Sequence, residues 1–389
     1  MHTNEYLFPR RFTRRDFVKM AGTATAAVAT AGASSFSSAA AAEQAGEADK
    51  GPVRIGSGHW TYEAVTTWGK LPGDMKYGLG CGVVVDSKDR VYVTSRSANP
   101  CVAVFDRDGA LLETWSNDFS EKIGYSTEQV VLSAHCIYWS KEPDGEFFYF
   151  TENAGKDGKD PSFGRRVYKT DLKGKILFEI GNVKQEGTTA QKFEWTNPTD
   201  VAVAPNGDIY VVDGYGSQRV SRFDKNFKHI KTIGSRTDGK QRGPDAPHGT
   251  FNTCHGVWIH LLRKGADPEV YIADRHNDRI EIYSLELDYK RTLKGDVRNP
   301  CCFYTHKDHL YVPDLAARVT IFDADDKVVA QLGDGREADG KTSKKDAQTN
   351  PALFATPHAM CVDSRGDFYV VEWLPQGRAR KFKHAPQKV

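Results

Sequence analysis

No apolar run after residue 42 approaches the ~18 residues that a membrane-spanning helix needs, so the body of this 389-residue chain carries no signal for a bilayer span. Charge of one sign is also missing. The 53 basic and 51 acidic residues leave a formal net charge of +2, which argues against nucleic acid or an anionic surface as partner. The seven cysteines (81, 101, 136, 254, 301, 302 and 361) are odd in number and have no C-x-x-C spacing, so no disulfide framework can be read from them. Ala-rich stretches disappear after the first forty-odd residues, while Gly is frequent at 35 and aromatics reach 11%.

The first forty-odd residues read as an address rather than as part of the fold. Arg14 and Arg15 sit in the run Thr-Arg-Arg-Asp-Phe-Val-Lys (residues 13–19), followed by a mildly apolar Ala/Gly/Thr stretch from Met20 to about Gly32. The small residues Ala39 to Ala42 then offer an A-x-A-type cleavage site. That order predicts a twin-arginine signal peptide over residues 1–42 and export of a folded chain to the periplasm or beyond a bacterial cell. A single domain is expected over residues 43–389, and that length is too great for one ordinary core unless it is built from repeats.

Repeats are present. Six times the sequence writes an apolar strand, a polar turn, and a Tyr-led strand that ends in or near an acid. The second strands are Tyr92-Val-Thr-Ser, Tyr149-Phe-Thr-Glu152, Tyr210-Val-Val-Asp213, Tyr271-Ile-Ala-Asp274, Tyr311-Val-Pro-Asp314 and Tyr369-Val-Val-Glu372. Turns such as Pro205-Asn-Gly-Asp and Asp363-Ser-Arg-Gly-Asp precede them, with residues that tolerate turn geometry. Four short strands every ~40–60 residues is the pattern of propeller blades, which bury both faces only against one another. The sixth repeat lacks a fourth strand, and Tyr62-Glu-Ala-Val-Thr-Thr-Trp-Gly69 reads like one. The expected fold is therefore all-β, a six-bladed β-propeller closed by an N-terminal outer strand that leaves no free edge.

Aligning the start of each first strand gives the column Cys81, His135, Thr199, His255, Cys301 and His358. First strands line a propeller's channel, so histidines in repeats two, four and six should stand about 120° apart around its axis. Three imidazoles facing one point suit zinc and leave a position open for water or substrate. Cys81 and Cys301 read as small apolar fillers of the same ring. Arg96, Arg275 and Tyr215 follow second strands and are aimed at the same end. Asp213 with Arg219, and Asp274 with Arg279, read as structural pairs across blade turns, and His248, His260 and His276 as surface residues off the column.

At these residues the chain resembles the peptidylglycine α-amidating lyase (peptidyl-α-hydroxyglycine lyase) family, NHL-type six-bladed propellers. The likeness is densest in Asp213-Gly-Tyr-Gly-Ser-Gln-Arg-Val, Cys254-His-Gly-Val and Ala273-Asp-Arg-His-Asn-Asp-Arg-Ile, with Pro357-His358-Ala, Ala134-His135-Cys and Val93-Thr-Ser-Arg96 beside them. The resemblance implies zinc on His135, His255 and His358, with Tyr215 and the two arginines as the catalytic set. Two positions depart from it. Ala359 stands where the family usually has an Asp that helps hold a structural calcium, and Gly216 replaces the cysteine beside the catalytic Tyr, so that disulfide cannot form.

The expected reaction is cleavage of an N–CH(OH)–COO⁻ centre. The hydroxyl proton must leave, the nitrogen must gain one, and the carboxylate must be held. Tyr215 is the candidate base, its pKa lowered from ~10 by a neighbouring Arg⁺, and a bidentate Arg is the carboxylate clamp. The substrate expected is a small-molecule or peptide-derived carboxylate and the protein a monomer, with no nucleic-acid partner. Two other readings compete. A lactonase-like metal-dependent hydrolase requires a carboxylate base near the metal, which the column lacks although Asp200 lies one residue along. A non-catalytic NHL-repeat binding protein requires no threefold histidine set.

Overall fold

A strand that is apolar on both faces must be covered on both faces, and the second strands here are of that kind: Val91–Ser95, Ile209–Val212 and Phe368–Glu372 are buried at every residue. The computed structural model describes residues 51–155, 160, 162–181, 189–263 and 265–387. The expected signal peptide, residues 1–42, lies outside them. Within them the strands form six blades, antiparallel except for one parallel strand at the edge of blade two, with inner strands Gly80–Val85, Ala134–Glu142, Asp200–Val203, Cys254–His260, Tyr304–His306 and Pro357–Val362. Six buried apolar clusters hold the ring together, one in each junction between successive blades, including the junction of blade six with blade one.

The leading tyrosines place large rings in those junctions. Tyr92, Tyr149, Tyr210, Tyr271, Tyr311 and Tyr369 are all buried, and each hydroxyl finds a partner. Tyr369 donates to Asp363 at 2.9 Å and Tyr210 to the Leu285 carbonyl at 2.7 Å, so ring burial costs no orphaned hydroxyl. The acids at the strand ends meet arginines that follow in the chain: Glu152 with Arg166 (2.7 Å), Asp274 with Arg279 (2.8 Å) and Asp314 with Arg318 (2.9 Å) on the next strand, and Glu372 with Arg378 (3.0 Å) just before it. Asp213 differs from the expected pairing with Arg219. Its carboxylate is taken up by the Thr196 and Asn197 amides and the Ser217 hydroxyl.

The N-terminal segment closes the ring as the repeat count requires. Tyr62–Val65 pairs antiparallel with Arg380–His384, and Arg54–Ile55 adds a further strand outside it. Tyr62 and Ile55 are buried in the junction of blades five and six, and Trp68 in that of blades six and one. Deleting residues through Gly69 should therefore lower Tm by about 10 °C or more, since several fully buried side chains and a strand ladder are lost together. Removing residues 1–42 alone should leave Tm unchanged in the same calorimetric scan. Equal melting of both truncations would contradict the closure.

His260 is not the surface residue expected. It is 1% exposed, stacked on Tyr271 at 4.5 Å, and neither ring nitrogen has a hydrogen-bond partner. Burial pushes its pKa down to about 4. The unfolded chain then binds a proton near pH 6.5 that the folded chain refuses, so this contribution is intact above pH 6.5 and is lost as pH falls towards 4. His260→Phe should reduce the unfolding free energy lost between pH 7 and pH 4.5 by on the order of 2–3 kcal/mol relative to the parent, measured by denaturant unfolding at the two pH values. An unchanged difference between pH 7 and pH 4.5 would refute the assignment.

Candidate metal centre

The histidine column is aimed by its backbone. At His135, His255 and His358 the inner strand slips register against its neighbour, between Ala134 and Cys136, Cys254 and Gly256, and Pro357 and Ala359. Such a bulge leaves the extra residue out of the ladder and re-aims its side chain. All three histidines are 2% exposed, and their ring centroids stand 4.9, 5.0 and 5.2 Å apart, close to a threefold arrangement.

Each ring is fixed by the next member of the column. His135 Nδ1–H donates to the Thr199 carbonyl (2.6 Å), His255 to that of Cys301 (2.8 Å) and His358 to that of Cys81 (2.7 Å). A carbonyl only accepts, so each Nδ1 carries the proton and each Nε2 keeps its lone pair. Gly256 makes this approach possible: a Cβ there would lie 2.6 Å from the Cys301 carbonyl oxygen that receives His255. The alternation of histidines with Cys81, Thr199 and Cys301 is thus one pattern, donors and acceptors in turn. The backbone role of those three positions was not read from the sequence, although the alternation itself was there.

One nitrogen from each histidine lies within 4.8 Å of the other two, and with Nδ1 committed that nitrogen is Nε2. Nε2 of His135 and of His358 is buried without any hydrogen-bond partner, a costly state for a polar atom unless something else fills it. Burial holds all three rings neutral: His135 and His255 are pushed well below the usual imidazole range, helped by the nearby arginines and by one another, and His358 is pushed to about 3. Three neutral imidazoles with converging lone pairs could hold one divalent ion with nitrogen preference. Cys81 and Cys301 share the column but not the cluster, and burial lifts their thiols to about 11 and about 12. Among the described residues no second trio of His, Cys, Asp or Glu donors lies so close together.

The loops after the second strands supply the rest. Tyr215 donates to His255 Nε2 at 3.0 Å and accepts from Arg275 Nη1 at 3.1 Å. Burial raises the Tyr215 pKa, and Arg275 opposes this without overcoming it, so the arginine alone does not give the expected lowering. Arg275 is 6% exposed, whereas Arg96 is half-buried, bonded to the Ala134 carbonyl (3.0 Å) and Asn153 (2.8 Å). Trp373, which sequence reasoning missed, stands 4.9 Å from the His358 ring, with the Arg96 guanidinium 5.1 Å over its own ring. The signal was available. Taking the residue after each second-strand end gives Arg96, Asn153, Gly214, Arg275, Leu315 and Trp373, a second column above the first. At Gly216 no side chain fits, since a Cβ would lie 2.3 Å from that of Thr196, so a cysteine could not stand there without rearrangement. All seven cysteines are free thiols.

Residues 196–223 match the NHL repeat family. The chain is 26% identical over 208 residues to mouse (Mus musculus) NHL repeat-containing protein 3, covering 52% of this chain and 51% of that protein. It is also 26% identical over 216 residues to a probable peptidyl-α-hydroxyglycine α-amidating lyase of Caenorhabditis elegans, covering 54% and 56%. The matches thus span about half the length of these relatives. A structural-genomics protein of unknown function from Bacteroides thetaiotaomicron superposes with a TM-score of 0.50 at 14% identity, covering 85% of this chain and 75% of that one, a likeness of fold alone.

Proposed function

We propose that this chain is a zinc-dependent lyase that cleaves the C–N bond of an N-acyl-α-hydroxyglycine-type substrate, giving an amide and glyoxylate. The observation that carries this reading is the Tyr215 hydroxyl, held between His255 Nε2 and Arg275 at the edge of the three-histidine centre. Relatives named as lyases of this kind support it. Zinc on the three Nε2 atoms would supply the positive charge that acidifies the substrate hydroxyl and brings the Tyr215 phenol down to a useful pKa.

The protein groups then have separate tasks. With the His255 lone pair turned to the metal, Tyr215 would release its own proton to solvent, keep Arg275 as its donor and, as phenolate, take the substrate hydroxyl proton. The electron pair left on the oxygen by the broken O–H bond forms the second C–O bond of glyoxylate, the C–N bond breaks with its electrons going to nitrogen, and the departing nitrogen takes the proton back from Tyr215. Arg275 is tied to Tyr215 and tunes it. Arg96, the more accessible arginine and stacked on Trp373, holds the carboxylate. The hydrolase alternative requires a carboxylate base, and among the described residues none joins the three histidines.

Glyoxylate release from N-benzoyl-α-hydroxyglycine, measured beside metal content, tests the whole reading. Turnover should need about one zinc per chain, stop on chelation and return with zinc. Zinc-replete protein that leaves every N-acyl-α-hydroxyglycine intact would overturn it.

A further inference from the structure

The channel continues past the histidines. One residue further along the inner strands begins a second cavity of about 750 Å³, to which all six blades contribute, and neither the histidines nor Tyr215, Arg275, Arg96 or Trp373 line it. Three aromatic side chains from three different inner strands do: Tyr138, Trp258 and Tyr304. Their rings form a continuous belt, with centroids 5.6 Å apart between Tyr138 and Trp258 and 5.7 Å apart between Trp258 and Tyr304. All three are half-buried although they lie on the innermost strands. Trp258 Nε1 has no hydrogen-bond partner.

Asp200 lines the same cavity and is 6% exposed. Its carboxylate accepts from the Cys136 thiol (2.9 Å) and from the Val201 and Val257 amides (2.9 and 3.0 Å), which joins the inner strands of blades two, three and four. Among the described residues no Lys, Arg or His makes an ion pair with it, whereas the acids that end the second strands of blades two, four, five and six each meet an arginine. A buried carboxylate is costly without a counter-charge.

A buried carboxylate without an ion-pair partner beside three aromatic rings is an arrangement that recognises an alkylammonium group; of the lysines on the same lining, Lys169 is paired with Glu142 at 2.6 Å, and Lys141 and Lys225 are exposed. We propose that this lower chamber binds a small organic cation, its ammonium head set between Asp200 and the rings of Tyr138, Trp258 and Tyr304. The unpartnered Trp258 N–H is a donor for an oxygen on the same molecule. The size of the cavity leaves room for a body attached to the head group. A bare metal ion fits less well, because one carboxylate and a neutral thiol do not replace its hydration shell. This site is independent of the chemistry proposed at the histidines.

Choline and its uncharged isostere 3,3-dimethylbutan-1-ol differ in the positive charge and in little else. Isothermal titration of the full chain should give one choline site per chain, at least tenfold tighter than the isostere. Asp200→Asn should bring the two within about twofold, Trp258→Leu should weaken choline, and chelation should leave choline binding unchanged. Equal affinity for the two probes in the unaltered protein, which needs no variant to fold, would overturn the proposal. So would failure of choline to bind at millimolar concentration, or displacement of choline by calcium chloride alone.

Discussion

His255→Ala should abolish zinc retention and, with it, glyoxylate release, while the propeller still unfolds as one cooperative unit. The same holds for His135→Ala and His358→Ala. A three-nitrogen site reduced to two loses most of its affinity, because each remaining imidazole still presents its lone pair to an ion that two ligands hold poorly. The fold should tolerate the loss, since its stability resides in six apolar junctions, none of which contains these histidines. Elemental analysis after dialysis, paired with a thermal scan, reads both halves of the expectation. Removal of Nε2 at positions 135 and 358 also removes buried atoms without partners, so the metal-free variants should be no less stable than the metal-free parent apart from the cavity left behind. Full zinc occupancy in the His255→Ala protein would exclude the assignment.

What the sequence made legible follows from how local each signal is. Blade count and closure were legible because turn residues, a leading tyrosine and a terminal acid recur at fixed offsets within a few residues of one another. The histidine trio was legible for the same reason, as one position within a repeat. Elements without a repeat to compare were missed. The short helices Asn117–Lys122 and Thr127–Ser133 between blades one and two have no long apolar period, and they are held by Phe119, Ile123 and Val130 entering the blade junction. The second carries a local sign that could have been used, the capping box of Ser126 with Gln129. The parallel strand Thr189–Gln191 at the edge of blade two is equally unrepeated.

Other failures concern environment rather than element. His260 ends a largely buried strand, yet its place off the histidine column was read as surface, and only packing against Tyr271 shows that the ring is enclosed. The pairing of Asp213 with Arg219 was expected because acid–Arg pairs across blade turns recur in propellers, and here the Thr196–Asn197 turn takes the carboxylate instead. The Tyr215 pKa was expected to follow its arginine, but desolvation depends on everything that surrounds the hydroxyl and cannot be read from one neighbour.

Tyr215→Phe tests the chemistry most directly. The ring packs edge-on against His135 at 5.3 Å and His255 at 5.4 Å, contacts that phenylalanine keeps, so fold and zinc content should be unchanged. What disappears is a single oxygen, hydrogen-bonded to His255 and Arg275. If that oxygen carries the proton from hydroxyl to leaving nitrogen, kcat should fall by roughly 10²–10⁴, the usual worth of a positioned base. KM should move little, because the carboxylate is held elsewhere. Arg96→Lys provides the contrast: a point charge cannot reproduce a planar two-point grip, so KM should rise with a smaller loss in kcat. Arg275→Lys should resemble Tyr215→Phe instead, since its task is exercised through the phenol. A Tyr serving packing alone would lose some stability on conversion to Phe and almost no activity. Near-normal turnover of N-benzoyl-α-hydroxyglycine by Tyr215→Phe, with zinc present, would therefore remove Tyr215 from the mechanism and leave the metal to act with a different base.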